Sequence, residues 1–277
     1  MNDFSPIVSS QWLAQQLDNP SVIIIDCRFQ LADPNWGYQQ YLTNHIQGAY
    51  FLDLNRDLSA PVAKHGGRHP LPNPEQLAAK LGSIGIKSGE TWVIAYDENR
   101  SCFAARLWWL LRYLGHERVS ILDGGFLGWI TAGNPISNDL PTPIPTQFIP
   151  QIQSDWIVDY DTVKALKDKP SAILVDSREG DRYSGIREPI DPIAGHIQGA
   201  VNSPWNQVID ESGYFHPIED QQRLWDNYQT TEEMIIYCGS GVTACVNIFS
   251  LTLTRRQNIK LYPGGWSDWC SYLLASS

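Results

Sequence analysis

The chain has no apolar run approaching the roughly 20 residues that a bilayer-spanning helix needs, so no membrane segment is read in it. It is also short of positive charge: 20 Lys and Arg stand against 30 Asp and Glu, a formal net charge of −10. A broad nucleic-acid surface needs the opposite balance, although a small cationic pocket for an anion does not. The first residues, MNDFSPIVSSQWL, lack a basic start and an apolar core, so no signal peptide is read. The five cysteines are an odd number, at spacings that match no zinc site. Free thiols in a reducing cytoplasm are the expectation. No G-x-G-x-x-G follows a strand and no Walker loop occurs, so no metal, nucleotide, flavin or other cofactor is expected.

What the chain does contain is itself, twice. VIIIDCRF at 22–29 matches AILVDSRE at 172–179, and NHIQGAYFLDL at 44–54 matches GHIQGAVNSPW at 195–205. WVIAYDENRSCFAAR at 92–106 lies opposite MIIYCGSGVTACVN at 234–247, and VSILDGGFLGW at 119–129 opposite IKLYPGGWSDW at 259–269. The order is kept throughout, which makes this a duplicated domain. Between the copies, NPISNDLPTPIPTQFIP at 134–150 holds five prolines and reads as extended chain. The expected organisation is a supporting domain over 1–140, a proline-rich linker over 141–150 and a catalytic domain over 151–277. A monomer is expected, because two joined halves already bury what a dimer interface would.

Within each copy, apolar runs rich in β-branched residues alternate with amphipathic segments, the pattern of an α/β fold with a mostly parallel sheet. Helices are expected over Ser9–Leu17 and 102–115, and over 73–81, where Asn73 and Pro74 make a start signal.

The chemistry concentrates at Cys238. An apolar strand ends there, and Gly239, Ser240 and Gly241 follow before a helical run. Ligands of open parallel sheets bind beyond the carboxyl ends of strands. Amides from Gly239 through Val242 to Thr243 could converge on one point, aided by the helix N-terminus, and such a nest lowers a thiol pKa. A buried, inert cysteine is the alternative, since free cysteine is among the most buried residue types. The matching position in the first copy is Asp97, without the Gly-Ser-Gly loop, so neither thiol nor cradle is expected there. Thr243 reads equally well as a helix N-cap. His45 and His196 occupy the same slot in both copies and read as structural.

Two tandem halves, each with HIQGA and GG[FW]xxW, and a cysteine loop only in the second, resemble the rhodanese superfamily of sulfurtransferases across nearly the whole chain. The resemblance implies two rhodanese-like domains and a double displacement. Cys238 takes the sulfane sulfur of a donor as a persulfide and passes it to cyanide or to a thiol such as thioredoxin. CGSGVTA at 238–244 is similar to the loop of the mercaptopyruvate branch. Thiosulfate-preferring members carry basic residues where Gly239 and Ser240 stand, so mercaptopyruvate is the expected donor and thiosulfate the alternative. By the same resemblance Arg182, in DRYSG, binds the donor's anion. A second arginine belongs to an EPR string. REPID places Arg187 out of step with it, and surface charge is the simpler reading. Arg178 reads as an acid's structural partner. HPLP at 69–72 makes His69 the candidate of an Asp–His–Ser arrangement, but Asn55 stands at the aspartate position and leaves that arrangement weak.

Two other classes compete. A cysteine phosphatase needs Cys-x5-Arg, and the sixth residue after Cys238 is Ala244, which counts against it. A persulfide carrier without turnover keeps the same loop and is separated only by experiment.

Overall fold

The computed structural model describes residues 5–228 and 233–275. It divides into two compact units, one of residues 1–60, 72–153 and 210–215, the other of 61–71, 154–209 and 216–277. Contiguous halves were the expectation; here a short stretch of each half counts with the other unit. The proline-rich stretch is extended but tied down within the first unit. Thr146 N donates to Gly82 O at 2.8 Å, Gln151 N donates to Leu114 O at 2.8 Å, and Phe148 is buried.

The first unit holds strands β1 (Ile7–Val8), β2 (Val22–Asp26), β3 (His45–Ile46), β4 (Tyr50–Phe51), β5 (Trp92–Tyr96), β6 (Val119–Leu122) and β7 (Ile136–Ser137). Its helices are α1 (Ser10–Ala14), α2 (Trp36–Thr43), α3 (Pro74–Ser83), α4 (Cys102–Tyr113) and α5 (Gly125–Thr131). Five strands form a parallel sheet in the order β1-β6-β5-β2-β4, and β3 and β7 make a separate antiparallel pair. The second unit holds β8 (Ala172–Asp176), β9 (Val201–Asn202), β10 (Glu233–Tyr237) and β11 (Ile259–Leu261) in the parallel order β11-β10-β8-β9. Around it lie α6 (Tyr160–Leu166), α7 (Gly180–Tyr183), α8 (Ile218–Trp225), α9 (Ala244–Leu253) and α10 (Gly265–Ala275). The strand order of the second sheet repeats that of the first without its edge strand β1. Among the described residues no helix is long and apolar enough to cross a membrane.

Local chemistry sets the helix ends. Ser9 Oγ accepts from Trp12 N at 3.2 Å, and Asn73 Oδ1 accepts from Gln76 N at 2.9 Å with Pro74 at the first helical position. Helix α1 stops at Ala14, short of the expected Leu17, because Gln15 N turns back to Trp12 O at 3.1 Å. Helix α4 ends at Tyr113, and Gly115 supplies the left-handed residue after it with φ +81°.

The repeated motifs are one device built twice. Asp26 and Asp176 end the central strands, and each pairs with the arginine two residues on, Arg28 at 2.7 Å and Arg178 at 2.6 Å. The neighbouring strand ends in Tyr96 or Tyr237, whose Oη accepts from the N–H of Ile46 or Ile197 at 3.2 Å. His45 Nδ1 lies 2.7 Å from Tyr41 O, and His196 Nδ1 lies 2.8 Å from Tyr183 O, each ring stacked on that tyrosine. HIQGA is therefore a loop anchored to the end of the sheet. The glycine pair in GG[FW]xxW has a matching cause. Gly125 and Gly265 have φ +54° and +60°, and a Cβ on either would strike the carbonyl of residue 97 or 238.

Candidate active site

Strand β10 delivers Cys238 to the carboxyl end of the second sheet, where the residue is only 2% exposed. Its carbonyl accepts from Trp266 N at 2.8 Å and the Gly239 carbonyl from Ser267 N at 2.9 Å, which locks the strand end to the start of α10. Gly241 turns the chain with φ +70° against the Pro263 backbone, and Ala244 opens α9. Gly239, Ser240, Gly241, Val242 and Thr243 thus form a tight loop between a strand and a helix N-terminus. Thr243 sits at the N-cap position with helical φ −66° and ψ −20°, and its side chain makes no capping hydrogen bond. The capping role read for it is not realised, because a cap needs an extended backbone to turn its oxygen back.

His69 Nδ1 and Ser240 Oγ are 2.8 Å apart, both residues buried. His69 lies in the segment 61–71, which packs as part of the second unit. Gly66 N donates to Asp268 Oδ1 at 2.7 Å and Arg68 N to Ser267 Oγ at 3.1 Å, pinning the segment on either side of Gly67. Asn55 N donates to Asp53 Oδ1 at 2.8 Å within the first unit.

Arg182, on the short helix α7, is committed to acids. Its Nη2 donates to Glu188 Oε1 at 2.7 Å and Asp191 Oδ2 at 3.1 Å, and its Nε to Glu188 Oε2 at 3.3 Å. Arg178 shares Glu188 at 3.1 Å while holding Asp176, the structural pairing read for it. Arg187 is 52% exposed and pairs with Asp181 at 2.6 Å. It is surface charge, apart from the cluster at the loop.

One residue went unread in the sequence. Arg68 forms an ion pair with Asp191, and its Nη2 lies 2.8 Å from where a Cβ on Gly239 would be. Arg182 Nη2 and Asp191 Oδ2 lie 3.7 and 3.8 Å from the same point. Burial lowers the Arg68 pKa from its ordinary range. The loop is thus neutral in sequence but has a guanidinium over it, so the absence of basic residues at 239 and 240 no longer argues for one donor. The GGRH string was visible, but nothing local says that position 68 meets position 239.

The remaining thiols differ in kind. Burial pushes Cys27 well up, helped by the charge of Asp97, and raises Cys270 to about 11. Cys102 and Cys245 are buried in helices α4 and α9.

The first unit corrects one expectation. A cradle exists at Asp97, and the aspartate fills it. Oδ1 accepts from the amides of Asn99 and Ser101 at 2.8 and 2.9 Å, and Oδ2 from those of Phe103 and Ala104 at 2.8 and 2.9 Å. Glycine was not needed, because Arg100 and Ser101 adopt positive φ of 57° and 61°. The same strand–loop–helix geometry makes an anion nest in one copy around a carboxylate and in the other presents a cysteine.

The Rhodanese-like domain family matches residues 9–132 and 159–272. The chain belongs to the rhodanese family. It is 41% identical, over 95% of its length and 94% of the relative's, to a Pseudomonas aeruginosa protein named "Probable 3-mercaptopyruvate sulfurtransferase". It is 32% identical to the 3-mercaptopyruvate sulfurtransferase of Rattus norvegicus and 30% to the thiosulfate sulfurtransferase of Bos taurus, each over 96% of this chain and 92% of the relative. The crystal structure of a 3-mercaptopyruvate sulfotransferase from Escherichia coli superposes with a TM-score of 0.80 at 31% identity, covering 95% of this chain and 99% of that one. This rhodanese is a sulfurtransferase, acting on small-molecule sulfur donors and acceptors.

Proposed function

We propose that Cys238 is the sulfur-carrying nucleophile and that 3-mercaptopyruvate is the preferred donor, with thiosulfate turned over less well. The observation that carries this reading is the convergence of the Cys238 loop, the His69–Ser240 hydrogen bond and two guanidiniums around Gly239. The Cys238 thiolate attacks the donor sulfur, and a sulfur–sulfur bond forms as the donor's carbon–sulfur bond breaks. The electron pair of that bond leaves as the enolate of pyruvate, which then takes a proton. With thiosulfate the bond that breaks is sulfur–sulfur and sulfite leaves. Cyanide or the thiolate of an acceptor such as thioredoxin then attacks the outer sulfur and returns the Cys238 thiolate.

Amides of residues 239–243 stabilise the negative sulfur, as oxyanion donors stabilise oxygen. Ser240 directs its hydroxyl to the reacting group while His69 holds the serine in place. The donor assignment is supported by the relatives of mercaptopyruvate name and by an arginine-rich face suited to a carboxylate. Near-complete burial suits a small donor and shields the persulfide from stray reductants. The chain works as a monomer.

The test is kcat/KM for both donors with one acceptor, together with intact mass of the protein after donor alone. One added sulfur on wild type and none on Cys238→Ser, with mercaptopyruvate ahead, is expected. Thiosulfate ahead by an order of magnitude overturns the donor assignment. Added sulfur without turnover means a carrier, and no added sulfur removes the sulfur chemistry from Cys238.

A further inference from the structure

We infer that Asp268 is the positioning residue for His69: through the backbone of residues 65–68 it sets the imidazole against Ser240. This rests on the sulfurtransferase reading, in which the Ser240 hydroxyl serves the reacting group. The His69–Ser240 hydrogen bond joins residues 171 positions apart, so its 2.8 Å length needs a common frame for both segments. Helix α10 is that frame. On the side of the loop, Trp266 N donates to Cys238 O at 2.8 Å and Ser267 N to Gly239 O at 2.9 Å. On the other side, three of its side chains accept from the segment that carries His69. Ser267 Oγ accepts from Arg68 N at 3.1 Å, and Asp268 Oδ1 from Gly66 N at 2.7 Å. Ser271 Oγ lies 2.7 Å from His65 Nδ1. The Ser271 hydroxyl gives its own hydrogen to Asp268 O at 2.6 Å, so the imidazole nitrogen is the donor there.

Of these three acceptors Asp268 is the charged one, and an N–H held by a carboxylate is held more strongly than by a hydroxyl. The carboxylate is itself fixed at both oxygens. Oδ2 accepts from Tyr262 Oη at 2.6 Å, and Tyr262 N donates to Ile236 O at 2.9 Å, which ties the group to the sheet that delivers Cys238. Asp268 is 5% exposed and Tyr262 1%. Two glycines let the parts meet. A Cβ on Gly67 would stand 2.3 Å from Gly264 O, and one on Gly264 would stand 2.4 Å from the Asp268 Cβ. The strand end, the start of α10 and the 65–69 segment therefore form one packed unit, with Asp268 bonded to its two outer parts. The Asp–His–Ser arrangement read in the sequence has Asn55 at its aspartate position. Here an acid orients the histidine from behind, through the main chain.

The test is a double-mutant cycle on the full chain. Each variant is assayed with whichever of mercaptopyruvate and thiosulfate wild type turns over faster, and with cyanide as acceptor. Asp268→Ala should lower kcat by about 10- to 100-fold with KM changed less, the cost of a misplacement of about 1 Å. Asp268→Asn keeps an oxygen for Gly66 N and should recover most of that loss. In the Ser240→Ala background Asp268→Ala should cost no more than about threefold, because the hydroxyl that His69 holds is already gone. Equal losses in the two backgrounds, or an unchanged kcat, overturn the inference and leave Asp268 a brace of the fold. If Asp268→Ala does not fold, Ser267→Ala frees the neighbouring amide and reads the same coupling. A loss that shrinks in Ser240→Ala supports the inference, and an additive one overturns it. If wild type turns over neither donor, the sulfurtransferase reading itself fails and takes this inference with it.

Discussion

Replacing Asp97 by alanine removes one acceptor from four backbone N–H groups at once. Three of them, on Ser101, Phe103 and Ala104, are buried; the fourth, on Asn99, is partly exposed and can turn to water. A buried donor left unmade costs about 1–3 kcal/mol, so three cost about 3–9 kcal/mol. Part of this is returned, because burial raises the Asp97 pKa and the ionised carboxylate is itself strained by desolvation. A net loss of about 2–4 kcal/mol is expected in urea denaturation at neutral pH. Asp97→Asn should fall between, since its amide nitrogen turns a donor toward donors. The pocket lined by Asp97, Glu98, Arg100, Ser101 and Gly124 gives a small anion a route to the emptied nest. Sulfate or phosphate should therefore raise the midpoint of Asp97→Ala more than that of wild type. A loss below about 1 kcal/mol, or no difference in anion response, would refute the nest.

The pH dependence has a definite sign. The folded Asp97 pKa lies above the ordinary aspartate value, so the folded state holds its proton longer than the unfolded chain. Its contribution is fully present below the unfolded pKa, near 3.8, and is lost as pH rises through the folded value. The stability advantage of wild type over Asp97→Asn should therefore shrink as pH climbs through that window. An advantage that grows with pH would show that the amide donors outweigh burial.

Cys238→Ser should abolish turnover while Cys245→Ser keeps most of it, read by steady-state sulfur transfer; equal loss would misplace the nucleophile. Gly241→Ala should lose about 1–3 kcal/mol in denaturation and most of its kcat, because φ +70° and the Pro263 backbone both resist a Cβ. Arg178→Met should destabilise by about 3–5 kcal/mol, since it strands the buried Asp176 carboxylate; a loss confined to KM would instead make Arg178 a substrate ligand.

The sheets and most helix starts were legible because their causes are local. VIIID and EMIIY are buried on both faces of parallel sheets, so they read as unbroken apolar runs. Asn73 with Pro74 announces α3. The duplication exposed HIQGA as structural before any tyrosine hydroxyl was seen. The cradle at Asp97 was not legible, because its loop bends at Arg100 and Ser101, two residues that rarely adopt positive φ.

Arg68 marks the limit of reading chemistry from adjacency. In sequence the loop at 239–240 is neutral, a glycine and a serine. Electrostatics acts through space, and the charge over Gly239 arrives from 171 positions earlier, on a segment that counts with the second unit. Such a charge is sited by backbone constraints: a glycine pair, a serine hydroxyl at 267 and a buried histidine one residue on. A basic residue placed in the loop itself would also have to share the tight turn around Cys238. Placed on the 61–71 segment, the cation is held by Asp191 and leaves Gly239 free to be small.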